Sequence, residues 1–162
     1  MTMFIPGNDS MKEILKGQNN FISNASNFAA YIFQTMKDIN WIGFYILDGD
    51  EMLVGPFQGK PACVRLTLGK GVCGTAAQKK EILIVPDVEN FPGHIACDAD
   101  SKSEIVLPII KDGILYGVLD IDSPLPARFS HEDANELSES LQILIESSDL
   151  EALSIYYQTS SE

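Results

Sequence analysis

The residues best suited to chemistry lie together between positions 63 and 104. The cysteines of the chain all fall in this stretch, at Cys63, Cys73 and Cys97. The same stretch contains a glycine-rich turn, 69–74, and a long loop, 87–102. Enzymes often place reactive groups on loops that rigid elements hold in position, and a thiolate is a strong nucleophile. The pattern therefore indicates thiol chemistry.

Other interpretations of these residues stay open. Each cysteine could be a small buried hydrophobe. Cys73 lies near the predicted start of a short helix, where a thiol pKa should be lowered, so it is a second candidate nucleophile. His94 could act as a base beside Cys97. Together, Cys63, Cys73, Cys97 and His94 offer ligand types that zinc prefers. The lack of a C-x-x-C pair disfavours zinc.

A helix and a hairpin precede the cysteines. Apolar residues recur every three or four positions from Phe21 to Ile39, which predicts an amphipathic helix from Asn19 to about Asn40. Residues 41–47 are aromatic and β-branched, so they predict a strand that turns and returns over 51–56. Alternation gives one uniformly apolar face, formed by Ile42, Phe44 and Ile46, which should meet the helices. The opposite face carries Trp41, Gly43, Tyr45 and Leu47 and suits a pocket wall.

The cysteine stretch itself is predicted to contain short elements. Residues 62–68 predict a strand that includes Cys63, and residues 72–79 predict a helix. The N–H groups at the start of this helix, near Gly71 to Cys73, could hold a carboxylate. A buried strand over 82–85 then leads into the long loop.

A second hairpin follows the loop, with strands predicted over 103–110 and 114–122. Alternation places Tyr116, Val118, Asp120 and Asp122 on one face of its second strand. Neighbouring carboxylates on a sheet need a cation, a proton or water, although a solvated strand end is an alternative. Ser130 to Asp133 match a capping box. The helix they begin should turn Ala134, Leu137, Leu141 and Leu144 inward.

These elements predict an α+β fold, an antiparallel sheet with the N- and C-terminal helices on one face and a ligand pocket on the other. We expect a loose or docked arm over 1–18, one domain over 19–150 and a tail over 151–162 that extends the last helix or frays. The formal charge of −12 disfavours binding to nucleic acid or to an anionic membrane surface. The start of the chain does not match a signal peptide, so we expect a cytoplasmic protein.

The order of motifs resembles a known family. The helix, the 41–45 hairpin strand, the 69–74 turn, the segment 85–88 and the strand 117–122 resemble the GAF fold, and more narrowly the free methionine-(R)-sulfoxide reductases. The resemblance runs from about Phe21 to Ile145. Its specificity lies in the spacing of the cysteines and in the acidic positions Glu104, Asp120 and Asp122.

The resemblance implies a role for each of these positions. Cys97 would attack the sulfoxide sulfur, and Cys63 and Cys73 would resolve and recycle it. Trp41 and Tyr45 would hold the methyl-sulfur end of the substrate. The acidic positions already named would bind the sulfoxide oxygen and the amino group.

Chemistry gives these residues a reason to be together. A sulfoxide oxygen must be protonated while a thiolate attacks the sulfur, and crowded carboxyl groups include one with a raised pKa. We expect the substrate carboxylate on backbone N–H groups near Val72 and Cys73, a specificity for the free amino acid, no resident cofactor and a thioredoxin-like reductant. A homodimer is the expected oligomer. The rival hypothesis is a GAF module that senses a small ligand without catalysis.

Overall fold

The computed structural model describes residues 8–94 and 98–159. Its helices are α1 (Asn8–Leu15), α2 (Phe21–Thr35), α3 (Gly71–Lys79) and α4 (His131–Ser147). Its strands are β1 (Trp41–Asp48), β2 (Glu51–Gly59), β3 (Arg65–Thr67), β4 (Leu83–Val85), β5 (Ser103–Lys111) and β6 (Ile114–Ser123). They form one antiparallel sheet in the order β3-β2-β1-β6-β5-β4. The predicted α+β class is confirmed.

The sheet separates two hydrophobic cores. On one face, Ile42, Phe44 and Ile46 are buried against α1, α2 and α4. On the other face, Trp41 and Tyr45 pack with the residues of α3. Both faces of β1 are therefore assigned as the alternation predicts. Within the described residues, no helix is long and apolar enough to cross a bilayer.

Helix α2 forms where the apolar period predicts it but ends earlier. Its N-cap is Asn20, whose side chain accepts a hydrogen bond from the Ser23 N–H at 2.9 Å. The helix stops at Thr35, and Met36 is already extended. Asp38 then has a φ of 60°, which a continuing helix does not allow. The predicted end near Asn40 is therefore wrong. The apolar spacing continues at Met36 and Ile39 although the helix has already ended.

The face prediction for β6 holds at its C-terminal half and fails at its start. Ile109 on β5 pairs with Gly117, but Ile110 pairs with Leu115, so Tyr116 is an extra residue in a bulge. A bulge shifts the alternation by one position. Tyr116 consequently joins the helical core, and Leu115 joins the core around α3, the reverse of the prediction.

The strands flanking α3 are shorter than predicted. Strand β3 contains only Arg65–Thr67, so Cys63 lies in the loop that precedes it rather than within a strand. Strand β4 begins at Leu83, and Ile82 is 41% exposed instead of buried. Helix α3 forms as predicted, with one more residue at its start.

The described parts of the predicted arm and tail, residues 8–18 and 151–159, contain regular elements. Residues 8–15 of the predicted arm form α1, whose Met11 and Leu15 are buried. Up to residue 159 the tail neither extends α4 nor frays, because Ser148 is extended and a 3-10 turn follows, and residues 160–162 lie outside the described residues. The Gly49 N–H donates to the Gln158 carbonyl at 2.8 Å, and the Gln158 N–H donates to Asp48 at 2.9 Å. The tail therefore docks on the β1–β2 turn.

Helix α4 begins at the predicted capping box. Ser130 and Asp133 exchange both side-chain hydrogen bonds with each other's backbone N–H groups. Arg128 also donates to Asp133 at 3.0 Å, and its remaining guanidinium nitrogens donate to the Lys37 carbonyl at 3.1 and 2.9 Å. The side chains of this ion pair are only 8% and 9% exposed. The pair fastens the start of α4 to the segment that enters β1.

This buried pair gives a stability prediction. Replacing Arg128 by Met leaves the Asp133 carboxylate buried without its cation, so the free energy of unfolding should fall by about 3 kcal/mol. Arg65 pairs with Glu51 at 3.4 Å on the surface and is the matched control. Arg65→Met should cost less than about 1 kcal/mol. Urea unfolding of both variants measures the difference, and equal losses would contradict the assignment.

Candidate active site

A cavity lies on the sheet face opposite α1, α2 and α4. Its wall is built from β1, β5 and β6, from the start of α3 and from parts of two loops. The predicted substrate-binding residues that line it are Trp41, Tyr45, Val72, Cys73, Glu104, Asp120 and Asp122. The structure thus brings every one of these positions to a single cavity.

The acidic wall follows from strand register. Glu104 on β5 lies directly opposite Asp122 on β6, and Asp120 lies two residues before Asp122 on the same face. Glu104 and Asp120 are buried. Three carboxyl groups on one buried face cannot all be ionised without a cation, so at least one must hold a proton.

The surroundings distinguish the members of this cluster. Burial, and then the charges of Asp120 and Asp122, raise the pKa of Glu104 well above its ordinary value. Burial also raises the pKa of Asp122, with the Asp120 charge next. Burial raises the pKa of Asp120 as well, but hydrogen bonds from Glu104 and Cys73 act against the shift. Glu104 is therefore suited to donate a proton, and Asp120 to carry the negative charge.

Asp120 has one oxygen available for a ligand. Its Oδ1 is buried and accepts no hydrogen bond from any described residue. A buried acceptor without a donor is costly. Because Asp120 lines the cavity, a donor group on a ligand there would satisfy this oxygen.

Cys73 lies against the same wall and is a buried thiol. Its Sγ donates to Glu104 Oε2 at 3.8 Å. Burial, followed by the charges of Asp120 and Glu104, raises the pKa of Cys73 well above its ordinary value. The expected lowering by the helix start is therefore wrong, because burial and adjacent carboxylates outweigh the helix. Cys73 is accordingly a poor nucleophile in this environment.

The aromatic wall does more than the sequence indicates. The rings of Trp41 and Tyr45 stack with centroids 5.9 Å apart, and Phe57 stacks on the other side of Trp41 at 5.4 Å. Trp41 Nε1 donates to the Lys60 carbonyl at 3.1 Å, and the Tyr45 hydroxyl donates to the Cys63 carbonyl at 3.0 Å. These aromatic residues therefore also fix the loop that carries Cys63.

Two of the cysteines are described. Cys63 is half-buried and is disulfide-bonded in this structure. Its disulfide bond disfavours the zinc set considered from the sequence, since Cys63 is not available as a thiolate. Cys97, the predicted nucleophile, lies outside the described residues.

The rim of the cavity contains residues that the sequence did not single out. Lys60 and Asp100 form an ion pair at 2.8 Å that joins the Cys63 loop to the loop before β5. Asn40 donates to Ser101 at 3.3 Å and to Asp98 at 3.5 Å. Aspartates spaced two apart beside a cysteine were the only sequence signal for this rim.

The start of α3 and His94 complete the lining. Lys70, the N-cap of α3, makes no side-chain capping hydrogen bond. Gly71 and Val72, which follow it, line the cavity. The first N–H groups of a helix attract anions, so this end suits a carboxylate. Partial burial lowers the pKa of His94, which favours a neutral imidazole near physiological pH.

The chain is similar in sequence and in structure to known proteins. The GAF domain family matches residues 22–148. The free methionine-R-sulfoxide reductase of Saccharomyces cerevisiae is 49% identical over 147 residues, covering 86% of this chain and 81% of the yeast protein. The protein of that name from Escherichia coli is 46% identical over 132 residues, covering 82% of this chain and 80% of its own. A crystallised free methionine-R-sulfoxide reductase from Neisseria meningitidis, in complex with its substrate, matches with a TM-score of 0.83 and 39% identity, covering 86% of this chain and 84% of that one.

Proposed function

This chain belongs to the GAF domain family and, within it, to the free methionine-R-sulfoxide reductases, and on that premise we propose how it works. It is an enzyme that reduces methionine sulfoxide. In our proposal the substrate is free L-methionine-(R)-sulfoxide, and the electrons come from the enzyme's own thiols. The observation that carries the substrate assignment is the buried, unpartnered Asp120 oxygen in the wall of a cavity of mixed acidic and aromatic lining.

The thiol steps begin at Cys97. Its thiolate attacks the sulfoxide sulfur, and the oxygen is transferred with one proton from that sulfur to the Cys97 sulfur. Methionine is released, and Cys97 is left as a sulfenic acid. A second thiol then attacks the sulfenic sulfur, which forms a disulfide and releases the oxygen as water. We assign this second thiol to Cys63. Two observations support Cys63 over Cys73 as the second thiol. Cys63 is disulfide-bonded, and the Cys73 thiol is buried and hydrogen-bonded.

Glu104 supplies the proton in this proposal. The sulfoxide oxygen gains negative charge as sulfur is attacked, so a neutral carboxyl group beside it stabilises the transition state. The raised pKa of Glu104, caused mainly by burial, keeps it protonated for this purpose. The Asp122 carboxyl directly opposite completes the polar contact to the oxygen.

The two ends of a free amino acid fit opposite parts of the wall. Its ammonium group would donate to Asp120 Oδ1, and its carboxylate would accept from the N–H groups at the start of α3. Trp41 and Tyr45 would pack on the methyl-sulfur end. A methionine sulfoxide residue within a peptide lacks both charges and would leave both sites unsatisfied.

A set of matched substrates tests the assignment. Free L-methionine-(R)-sulfoxide, its N-acetyl derivative and its amide should be compared at equal dithiothreitol concentration by epimer-resolved chromatography. Each blocked form should lose at least about 100-fold in kcat/KM, because a buried group is left without its partner. Loss of the (S) epimer at the same rate, or turnover of the N-acetyl form at a comparable rate, would refute the proposal.

Multiple turnover requires an outside reductant. A dithiol protein of the thioredoxin type would reduce the disulfide by exchange at Cys63, which is half-buried. Such a supply of thiols suits the cytoplasm. We also propose a homodimer, which light scattering of the purified protein tests directly.

A further inference from the structure

Three metal-ligand atoms converge in the cavity wall from three different elements. The Cys73 sulfur comes from α3, one Glu104 oxygen from β5 and one Asp120 oxygen from β6. These atoms lie within 4.8 Å of one another, and the sulfur is 3.8 Å from Glu104 Oε2. All three residues are buried. Among the described residues, no other group of this kind is formed.

A second observation indicates that this cluster can receive a ligand. Asp120 is only 5% exposed, yet its Oδ1 accepts no hydrogen bond within the described part of the chain. Asp120 is one of the residues that line the cavity, so a small cation in the cavity would lie beside it. The other members of the cluster already contact each other, which leaves this oxygen as the group that a cation would satisfy.

We propose that a zinc-class divalent cation binds to Cys73, Glu104 and Asp120 and excludes the substrate from the cavity. The exclusion rests on the proposed function, because it takes Asp120 to be the ammonium-binding group. The cation acts here as an inhibitor and not as a cofactor. Its presence would stop the reductase when free zinc rises.

The donor set selects the class of cation. One sulfur with two carboxylate oxygens suits Zn²⁺, which forms bonds of roughly 2.0–2.3 Å to such ligands. Mg²⁺ and Ca²⁺ prefer six or more oxygen ligands and do not favour a thiolate. Tetrahedral bonds of that length need the three atoms to approach one another modestly. The cavity leaves a fourth position for water.

Zinc and the substrate would compete because both would bind Asp120 and Glu104. A cation on Asp120 repels the substrate ammonium and removes its acceptor. A cation on Glu104 also displaces the proton that the reaction requires. Binding of zinc and binding of substrate should therefore exclude each other, although each can bind to the protein alone.

Cobalt spectroscopy tests the site without turnover. The Cys63→Ser/Cys97→Ser double variant keeps Cys73 as its one cysteine and cannot complete the thiol cycle. Adding CoCl₂ should produce a thiolate-to-cobalt charge-transfer band, which ZnCl₂ removes by replacing cobalt. Free L-methionine-(R)-sulfoxide should also remove the band. Absence of the band in this variant, or failure of the substrate to displace cobalt, would overturn the proposal.

Two further variants assign the ligands. Adding Cys73→Ser to the double variant should remove the charge-transfer band, and Asp120→Asn should weaken cobalt binding at least about 10-fold. A band that survives Cys73→Ser would overturn the assignment. Fully reduced wild-type protein should give the same band, which excludes an effect of misfolding. Because the readout is spectral, a failed reductase assay would refute the proposed function and leave the metal site supported.

Discussion

Replacing Cys97 by Ser is expected to abolish catalytic turnover of free methionine sulfoxide. A serine hydroxyl does not form the sulfenic acid on which the later steps depend, so kcat/KM should fall by about 1,000-fold or more. The substrate should still bind, because its proposed contacts lie on β1, β5, β6 and α3. The measurements are epimer-resolved turnover with dithiothreitol and, separately, substrate affinity by calorimetry.

Cys63→Ser is the matched control for this prediction. It should still complete one reduction per enzyme molecule, because the attacking thiol is intact, and it should accumulate the Cys97 sulfenic acid. A sulfenic-acid reagent followed by mass spectrometry detects that product. A normal burst in Cys97→Ser, or no burst in Cys63→Ser, would show that the roles are assigned wrongly.

Much of the site could be predicted because it rests on strand alternation. A period of two places Asp120 and Asp122 on one face, and the structure keeps them there opposite Glu104. The same rule separates Trp41 and Tyr45 from the helical side of β1. Both stretches pair without a register shift along the β1–β6 ladder, so the alternation of each strand is kept there.

The rule failed where the backbone departs from regular pairing. Nothing in the sequence marks the bulge at Tyr116, which depends on how β5 and β6 pair. The loop position of Cys63 likewise follows from tertiary hydrogen bonds, above all the one from Tyr45. Helix α1 is short, and such helices depend on packing more than on propensity. Long-range contacts decided each of these features.

The pKa of Cys73 shows the same limit at the level of chemistry. A helix start alone predicts a reactive thiol with a lowered pKa. Burial, followed by the charges of Asp120 and Glu104, reverses this effect on the pKa of Cys73. These distant carboxyl groups meet Cys73 only because α3 packs on β5 and β6. The nucleophile is therefore expected at another cysteine, and we assign that role to Cys97.

The sheet explains why such a costly cluster is tolerated. The helical face supplies a large apolar core that does not involve the site. The opposite face can then hold buried carboxyl groups whose charge is neutralised by a proton or by a ligand. The fold thus keeps its larger apolar core on one side of the sheet and the carboxyl cluster, with a smaller core, on the other.

Replacing Glu104 by Gln should reduce kcat/KM by about 100-fold or more, because the amide keeps the shape of the side chain but is a very weak acid. The exposed Glu81→Gln is the matched control and should leave activity unchanged. In the wild type, activity should fall as pH rises through the raised pKa of Glu104, since the proton donor is lost. That alkaline decline should be absent in Glu104→Gln, and a decline of equal size in both would contradict the role.

The stability of the same variant separates catalysis from folding. The pKa of Glu104 is raised in the folded state, so folding binds a proton there, and the stability of the wild type falls as pH rises above the ordinary glutamate pKa of about 4.3. Glutamine has no such dependence. Glu104→Gln should therefore unfold at an equal or higher urea concentration than the wild type at neutral pH. A variant that is slower yet no less stable would place the acid in the reaction, whereas a variant that is destabilised in proportion to its lost activity would place Glu104 in the scaffold.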